Sequence, residues 1–350
     1  MNHMNLLFEA ATPLLYWYAA SARDLPWRRD RDPYHIWISE IMLQQTRAEA
    51  VKPYFSAFLE AFPTPEALAL ADDDVLNKIW QGLGYYSRAR NLKRAAQEIV
   101  SLYGGKVPDD YRQLLSLPGI GAYTAGAISS IAFGRPIPAV DGNVLRVVTR
   151  LTVTEDDITT QTTKDRITQA LSEVYRRIPE ESANLTQALM ELGATVCVPN
   201  GTPHCGDCPL AEMCLAHRYG NETAYPKKAP KRARVISDRT VLLIRCEDRF
   251  AIQKRPEKGL LSGLWEFPNV EGCLGTSDVE EWLCSLGLQL TAVEQTRSAK
   301  HIFTHIEWHM TGYRCDVLNT IKTYTWATAE EIFERYSVPS AFRAFLQLLQ

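Results

Sequence analysis

The sequence predicts two domains in one chain, an all-α domain followed by an α+β domain, and three observations carry this expectation. A length of 350 residues exceeds one ordinary domain and leaves each of two enough chain to bury a core. Apolar residues recur at three- and four-residue spacing from residue 6 to about 216, the mark of helices with one buried face. The composition then turns to Pro226, Lys227, Lys228, Pro230, Lys231, Arg232 and Arg234, a run that cannot bury a core. Residues 1–222 are therefore assigned to the first domain, 223–239 to a basic linker and 240–350 to the second domain.

In chain order, the helical spacing covers 38–51, 72–81, 86–103, 122–133, 142–153, 164–177 and 184–196. After the linker, 240–245 and 250–253 read as strands, 259–268 as a glycine-rich turn, 306–315 and 322–326 as extended, and 278–287 and 328–335 as helices. A hydrophobic fraction of 46%, 23% charged residues and a net charge of -3 describe an ordinary globular chain, so any case for a nucleic-acid partner rests on local patches. The apolar start, residues 1–21, lacks a basic leading segment and is interrupted by Glu9 and Pro13, and no other stretch reaches membrane-span length. A soluble, cytoplasmic protein without a membrane partner is expected.

Four of the eight cysteines, Cys197, Cys205, Cys208 and Cys214, follow a C-x7-C-x2-C-x5-C spacing at the end of an apolar helix. Four thiolates on one compact loop suit structural zinc or an iron-sulfur cluster. Cys246, Cys273, Cys284 and Cys315 are scattered, as reduced thiols are.

Leu117-Pro118-Gly119-Ile120-Gly121 separates two helical runs. Glycines at 119 and 121 permit a tight turn and leave N-H groups at a helix start, where a phosphate is favoured. Further on, Val140-Asp141-Gly142-Asn143 places an acid at the start of another helix. Asp is a favoured cap there, and the position is expected to lower its pKa and keep it ionised. A fixed anion suits the cationic transition state of glycosidic-bond cleavage.

The pair of motifs at 117–125 and 140–147, with the cysteine loop, resembles the helix-hairpin-helix DNA glycosylases over nearly all of residues 20–216. The resemblance implies a 4Fe-4S cluster on the four cysteines. The family's usual first gap is six residues; here it is seven. It also implies that Asp141 is the catalytic aspartate and that Gly119 and Gly121 meet the DNA backbone. Strand-nicking members carry lysine where this chain has Tyr123, whose phenol cannot form a Schiff base, so a monofunctional glycosylase is implied.

Leu25-Pro26-Trp27-Arg28 and Ile38-Ser39-Glu40-Ile41-Met42-Leu43-Gln44-Gln45-Thr46 look like the adenine-pocket segments of the MutY branch. By periodicity alone Glu40 would be a solvated helix residue. The resemblance makes it the general acid and base, a role that partial burial favours by raising its pKa. It further implies that Gln45 and Tyr85 fill the stack beside the lesion, that Tyr123 and Asn143 assist the leaving base and sugar, and that Arg28, Thr46 and Gln187 line the substrate site.

Residues 240–270 resemble the start of a Nudix fold, while Asp278-Val279-Glu280-Glu281-Trp282 lacks the glutamate pattern that binds magnesium in Nudix hydrolases. As in MutY relatives, the domain is then expected to read a damaged base through Phe303, Thr304 and His305, with Thr where the family has Ser. The reading that results is a monomeric adenine glycosylase acting on duplex DNA with adenine opposite 8-oxoguanine or guanine, associated with the nucleoid. A strand-nicking glycosylase is disfavoured by Tyr123, a silent DNA-binding protein by retention of Glu40 and Asp141, and a nucleotide pyrophosphohydrolase by the missing metal-binding helix.

Overall fold

The computed structural model describes residues 3–230 and 233–349, so Lys231 and Arg232 of the expected linker lie outside the described residues. The chain forms two compact units, Met1–Leu70 with Arg90–Pro230, and Ala71–Ala89 with Lys231–Gln350. Among the described residues no helix is long and apolar enough to cross a membrane.

The first unit is helical. Several of its helices begin where a side-chain oxygen satisfies free N-H groups of the first turn. Asp32 caps Pro33–Leu43, Asp110 caps Tyr111–Ser116, Asp141 caps Gly142–Thr152 and Thr160 caps Gln161–Arg177. Leu6 and Leu14 of His3–Ser21 pack with Val144, Val148, Leu185 and Leu192, which joins the first helix to Gly142–Thr152 and Ser182–Thr195. The helix expected over 38–51 is two helices, Pro33–Leu43 and Ala48–Ala61, because Gln45 adopts a left-handed φ of 59° that an α-helix cannot continue. The run expected over 122–133 starts as Ala122–Ala127 and widens into a π-turn, Ile128–Ala132.

Among the described residues, the second unit is built on a seven-stranded sheet: β1 (Val235–Cys246), β2 (Arg249–Lys254), β3 (Trp265–Glu266), β4 (Asn269–Glu271), β5 (Leu290–Ile302), β6 (Ile306–Val317) and β7 (Thr325–Thr328). Parallel pairing of β1 with β6 runs from Val235 opposite Ile306 to Arg245 opposite Asp316, and β5 pairs antiparallel with β6. The sheet buries both faces: Trp308, Met310, Phe342 and Phe345 fill one side, and Leu242, Ile244, Val279 and Leu283 the other. The end of the expected linker is strand, since β1 starts at Val235. The sequence reading missed β5, whose polar, mostly unburied residues give little alternation on the sheet's edge.

Residues 71–89, which the sequence reading places in 1–222, sit in this second unit. Lys254 Nζ and Trp265 Nε1 donate to Asp74 at 2.9 and 3.2 Å. Lys78 Nζ donates to the Phe333 carbonyl at 2.5 Å, and Gln81 Nε2 to the Val338 carbonyl at 2.9 Å. These partners are about 180 to 257 residues apart in sequence, so local periodicity carries no trace of them.

Candidate active site and cysteine loop

Within the first unit, three helices bring Glu40, Tyr123, Asp141 and Asn143 together. Glu40 lies on Pro33–Leu43 and is only 4% exposed, which replaces the solvated residue that periodicity alone suggests. Tyr123, in the first turn after the hairpin, donates its hydroxyl to the Glu40 carboxylate and lies 3.8 Å from Met190 Sδ. Burial pushes the Glu40 carboxyl up to about 7 against the lowering effects of the Tyr123 hydrogen bond and of Arg28, with Asp141 raising it further. A carboxyl in that range holds a proton near neutral pH and can still release it.

Asp141 accepts from Val144 N-H at 2.8 Å and from Asn143 Nδ2 at 2.7 Å. Its pKa is not lowered as its cap position suggests: burial raises it, and the hydrogen bonds from Val144 and Asn143 offset only part of that rise. Arg146 Nη2 donates to Asn143 Oδ1 at 2.8 Å and to the Gly193 carbonyl at 2.7 Å, which fixes Asn143 from behind. That arrangement needs glycine at 193, because a Cβ there would lie 2.5 Å from the Asn143 Cβ.

Arg28 closes the Pro26–Arg28 turn and lies over the Tyr18 ring. Its Nη2 donates to Glu191 Oε2 at 2.8 Å, while Arg23 holds the same carboxylate through Nε at 2.7 Å and Nη2 at 2.8 Å. Gln187 sits one helical turn before Glu191 on Ser182–Thr195, half-buried. Sequence reasoning missed Glu191, Arg23, Met190 and Arg146. An acid in the otherwise apolar stretch Ala188-Leu189-Met190-Glu191-Leu192 was the available signal.

Gln45 is exposed on its left-handed turn, and Thr46 follows half-buried, with its N-H on the Leu43 carbonyl. In the hairpin, Gly119 has φ 78°, and a Cβ there would come within 2.7 Å of Asn91, so both backbone and space require glycine. Gly121 precedes Ala122–Ala127 in extended backbone. Within the second unit, Tyr85 is 50% exposed with φ 46°, while Tyr86 is core. Phe303, Thr304 and His305 form the turn between β5 and β6; Phe303 packs on Trp308, and Thr304 and His305 are exposed.

The four cysteines of the loop, Cys197, Cys205, Cys208 and Cys214, line one small cavity together with Arg150, His217 and Glu222. Arg150 Nη1 donates to Cys197 Sγ at 3.2 Å and to the Val198 carbonyl at 3.0 Å. Burial pushes the Cys208 thiol up to about 12, so a bound cation is what would hold it as thiolate. Four sulfur donors converging on one space fit a four-cysteine metal cluster.

Residues 38–177 match the family described as HhH-GPD superfamily base excision DNA repair protein, and residues 240–348 match the NUDIX domain family. The chain is 31% identical to the adenine DNA glycosylase of Rattus norvegicus, over 96% of this chain and 77% of that one. It is 33% identical to the adenine DNA glycosylase of Buchnera aphidicola subsp. Schizaphis graminum, over 85% of this chain and 84% of the relative. Among solved structures, a thermostable thymine-DNA glycosylase superposes with TM-score 0.54 at 27% identity, covering 60% of this chain and 95% of that one. A trapped endonuclease III-DNA covalent intermediate shares the fold with TM-score 0.53 at 24% identity, covering 63% and 99%.

Proposed function

Because the chain belongs to the adenine DNA glycosylases of the MutY type, with a C-terminal Nudix-like domain, we propose that it excises adenine opposite 8-oxoguanine or guanine in base excision repair. The observation that carries the chemistry is the buried Glu40 carboxyl, poised near neutral pH and tied to the Tyr123 hydroxyl beside Asp141. Glu40 gives its proton to a ring nitrogen of a flipped adenine, and the glycosidic bond breaks with its electron pair leaving on the base. The sugar is left as an oxocarbenium ion, which the anionic Asp141, held by Val144 and Asn143, stabilises. Water then adds to the sugar carbon and yields its proton to the Glu40 carboxylate. With Tyr123 offering no amine, the strand stays intact and the enzyme is monofunctional.

Arg28 and Gln187 border the base site, Gly119 and Gly121 hold a phosphate of the duplex, and Gln45, Thr46 and Tyr85 meet the disturbed stack. Phe303, Thr304 and His305 read the opposing base. Cys197, Cys205, Cys208 and Cys214 would hold one 4Fe-4S cluster, which orders their loop and takes no part in the base chemistry. The protein works as a monomer on double-stranded DNA, in the cytoplasm at the nucleoid.

Purified protein incubated with duplexes carrying A opposite 8-oxoguanine, A opposite G or an oxidised pyrimidine, with and without alkali, tests this reading. Alkali-dependent cleavage at adenine supports it. Cleavage without alkali, or only at the pyrimidine, overturns it.

A further inference from the structure

Glu191 is a carboxylate with only 1% of its side chain exposed, set on the same helix as Gln187 and Met190 and clamped by two arginines. Arg23 reaches it through both side-chain and backbone nitrogens, and Arg28 adds a third guanidinium contact at 2.8 Å while donating to the Arg23 carbonyl at 3.2 Å. Two guanidiniums and one carboxylate leave this group with a net charge of +1. The charge of Arg28, 14% exposed, favours ionisation of Glu40.

We propose that Glu191 is a positioning residue for excision, the counter-charge that holds Arg28 in place and limits how much positive charge Glu40 experiences. The inference rests on the reading of Glu40 as proton donor. The charged and polar groups acting on Glu40 come from separate elements: Tyr123 after the hairpin, Asp141 at the start of Gly142–Thr152, and Arg28 on its turn, with Tyr18 and Glu191 touching Arg28. Burial and Asp141 favour the protonated carboxyl; the Tyr123 hydrogen bond and, to a smaller extent, Arg28 oppose them. An unbalanced guanidinium pair would tip that contest toward ionisation and leave Glu40 with no proton to give near neutral pH. Hydrogen bonds from both arginines outweigh burial and hold Glu191 itself down to about 2, so it stays anionic wherever Glu40 titrates.

Opposite shifts in the pH dependence separate this role from a merely structural one. Single-turnover excision is measured from pH 5.5 to 9 on intact protein, where the rate falls on the alkaline side as Glu40 ionises. Glu191→Gln raises the group from +1 to +2, and the alkaline limb should move to lower pH by about one unit. Rates should recover toward wild type in acid. Arg23→Gln lowers the group to zero and should move the limb the other way, by less, because Arg23 is 34% exposed. Glu191→Asp should restore the wild-type position. If Glu191→Gln does not fold, Arg23→Gln decides by itself: a limb at higher pH supports the proposal and an unmoved limb overturns it. Glu40→Gln, run alongside, separates the two levels of the reading. A limb that persists in Glu40→Gln overturns the role of Glu40 and this inference with it. A limb lost in Glu40→Gln but unmoved in the Glu191 and Arg23 variants overturns this inference alone.

Discussion

The hydroxyl oxygens of Tyr85 and Thr304, 219 residues apart in sequence, lie 3.4 Å apart in the second unit. Arg88 lies 5.7 Å from the Tyr85 ring, and Phe303 packs on Trp308, so each side of this contact has its own support. The residue proposed to enter the stack and the loop proposed to read the lesion are thus parts of one folded body. Thr304→Ala removes the shared hydroxyl and leaves the chemistry of the first unit intact. It should reduce the preference for 8-oxoguanine over guanine by about tenfold, the worth of one good base contact. Competition between the two duplexes checks this, and an unchanged ratio would remove Thr304 from lesion reading.

Glu40→Gln keeps size and polarity and removes the proton transfer, so the single-turnover rate should fall by about 10²–10⁴-fold. The same carboxyl bears on stability, because its pKa in the folded protein is raised to about 7 from 4.5. A raised carboxyl binds its proton more tightly when folded, so its contribution is fully present below 4.5 and is lost as pH rises through about 7. Glu40→Gln should therefore melt higher than wild type at pH 8 and much like it at pH 4.5. A variant less stable than wild type at pH 8 would mean that the Tyr123 hydrogen bond outweighs the burial of the charge.

Gly193→Ala places a methyl group 2.5 Å from the Asn143 Cβ, and neither helix backbone has room to yield freely. A loss of about 1–3 kcal/mol is expected from this overpacking. Because Asn143 donates to Asp141, the excision rate should fall as well, while Gly275→Ala, in the second unit with no atom closer than 3.5 Å to the added Cβ, should leave excision unchanged. Denaturant melts and single-turnover rates of the two variants provide the comparison.

Cys208→Ser removes one of four converging sulfurs. Iron content and visible absorbance should drop, and affinity for duplex DNA should weaken by about 10–100-fold through disorder of the loop. Wild-type protein that carries zinc and no iron, yet binds DNA and excises adenine normally, would exclude an iron-sulfur cluster.

Much of this was determined locally. Helix spacing, the basic run before β1, the four-cysteine loop, and the hairpin glycines with the Asp141 cap are all short-range patterns, since backbone conformation and capping depend on neighbours a few residues away. Tertiary structure alone decided the rest. Glu40 is a surface-compatible residue by periodicity, and its burial against Tyr123 comes from an element about 80 residues on. The Asp141 cap suggests a lowered pKa, but burial by other helices reverses the sign. The break at Gln45 lies inside an unbroken apolar rhythm, because both flanking helices bury their own faces. Residues 71–89 look like one more stretch of the first domain and fold with the second, held by Asp74, Lys78 and Gln81 through partners more than 170 residues away. Glu191 stands out locally as an acid in an apolar stretch, but nothing near it in sequence names Arg23 and Arg28, more than 160 residues away, as its partners. Charge, burial and close approach are set by what the fold brings near, and no window of sequence contains that.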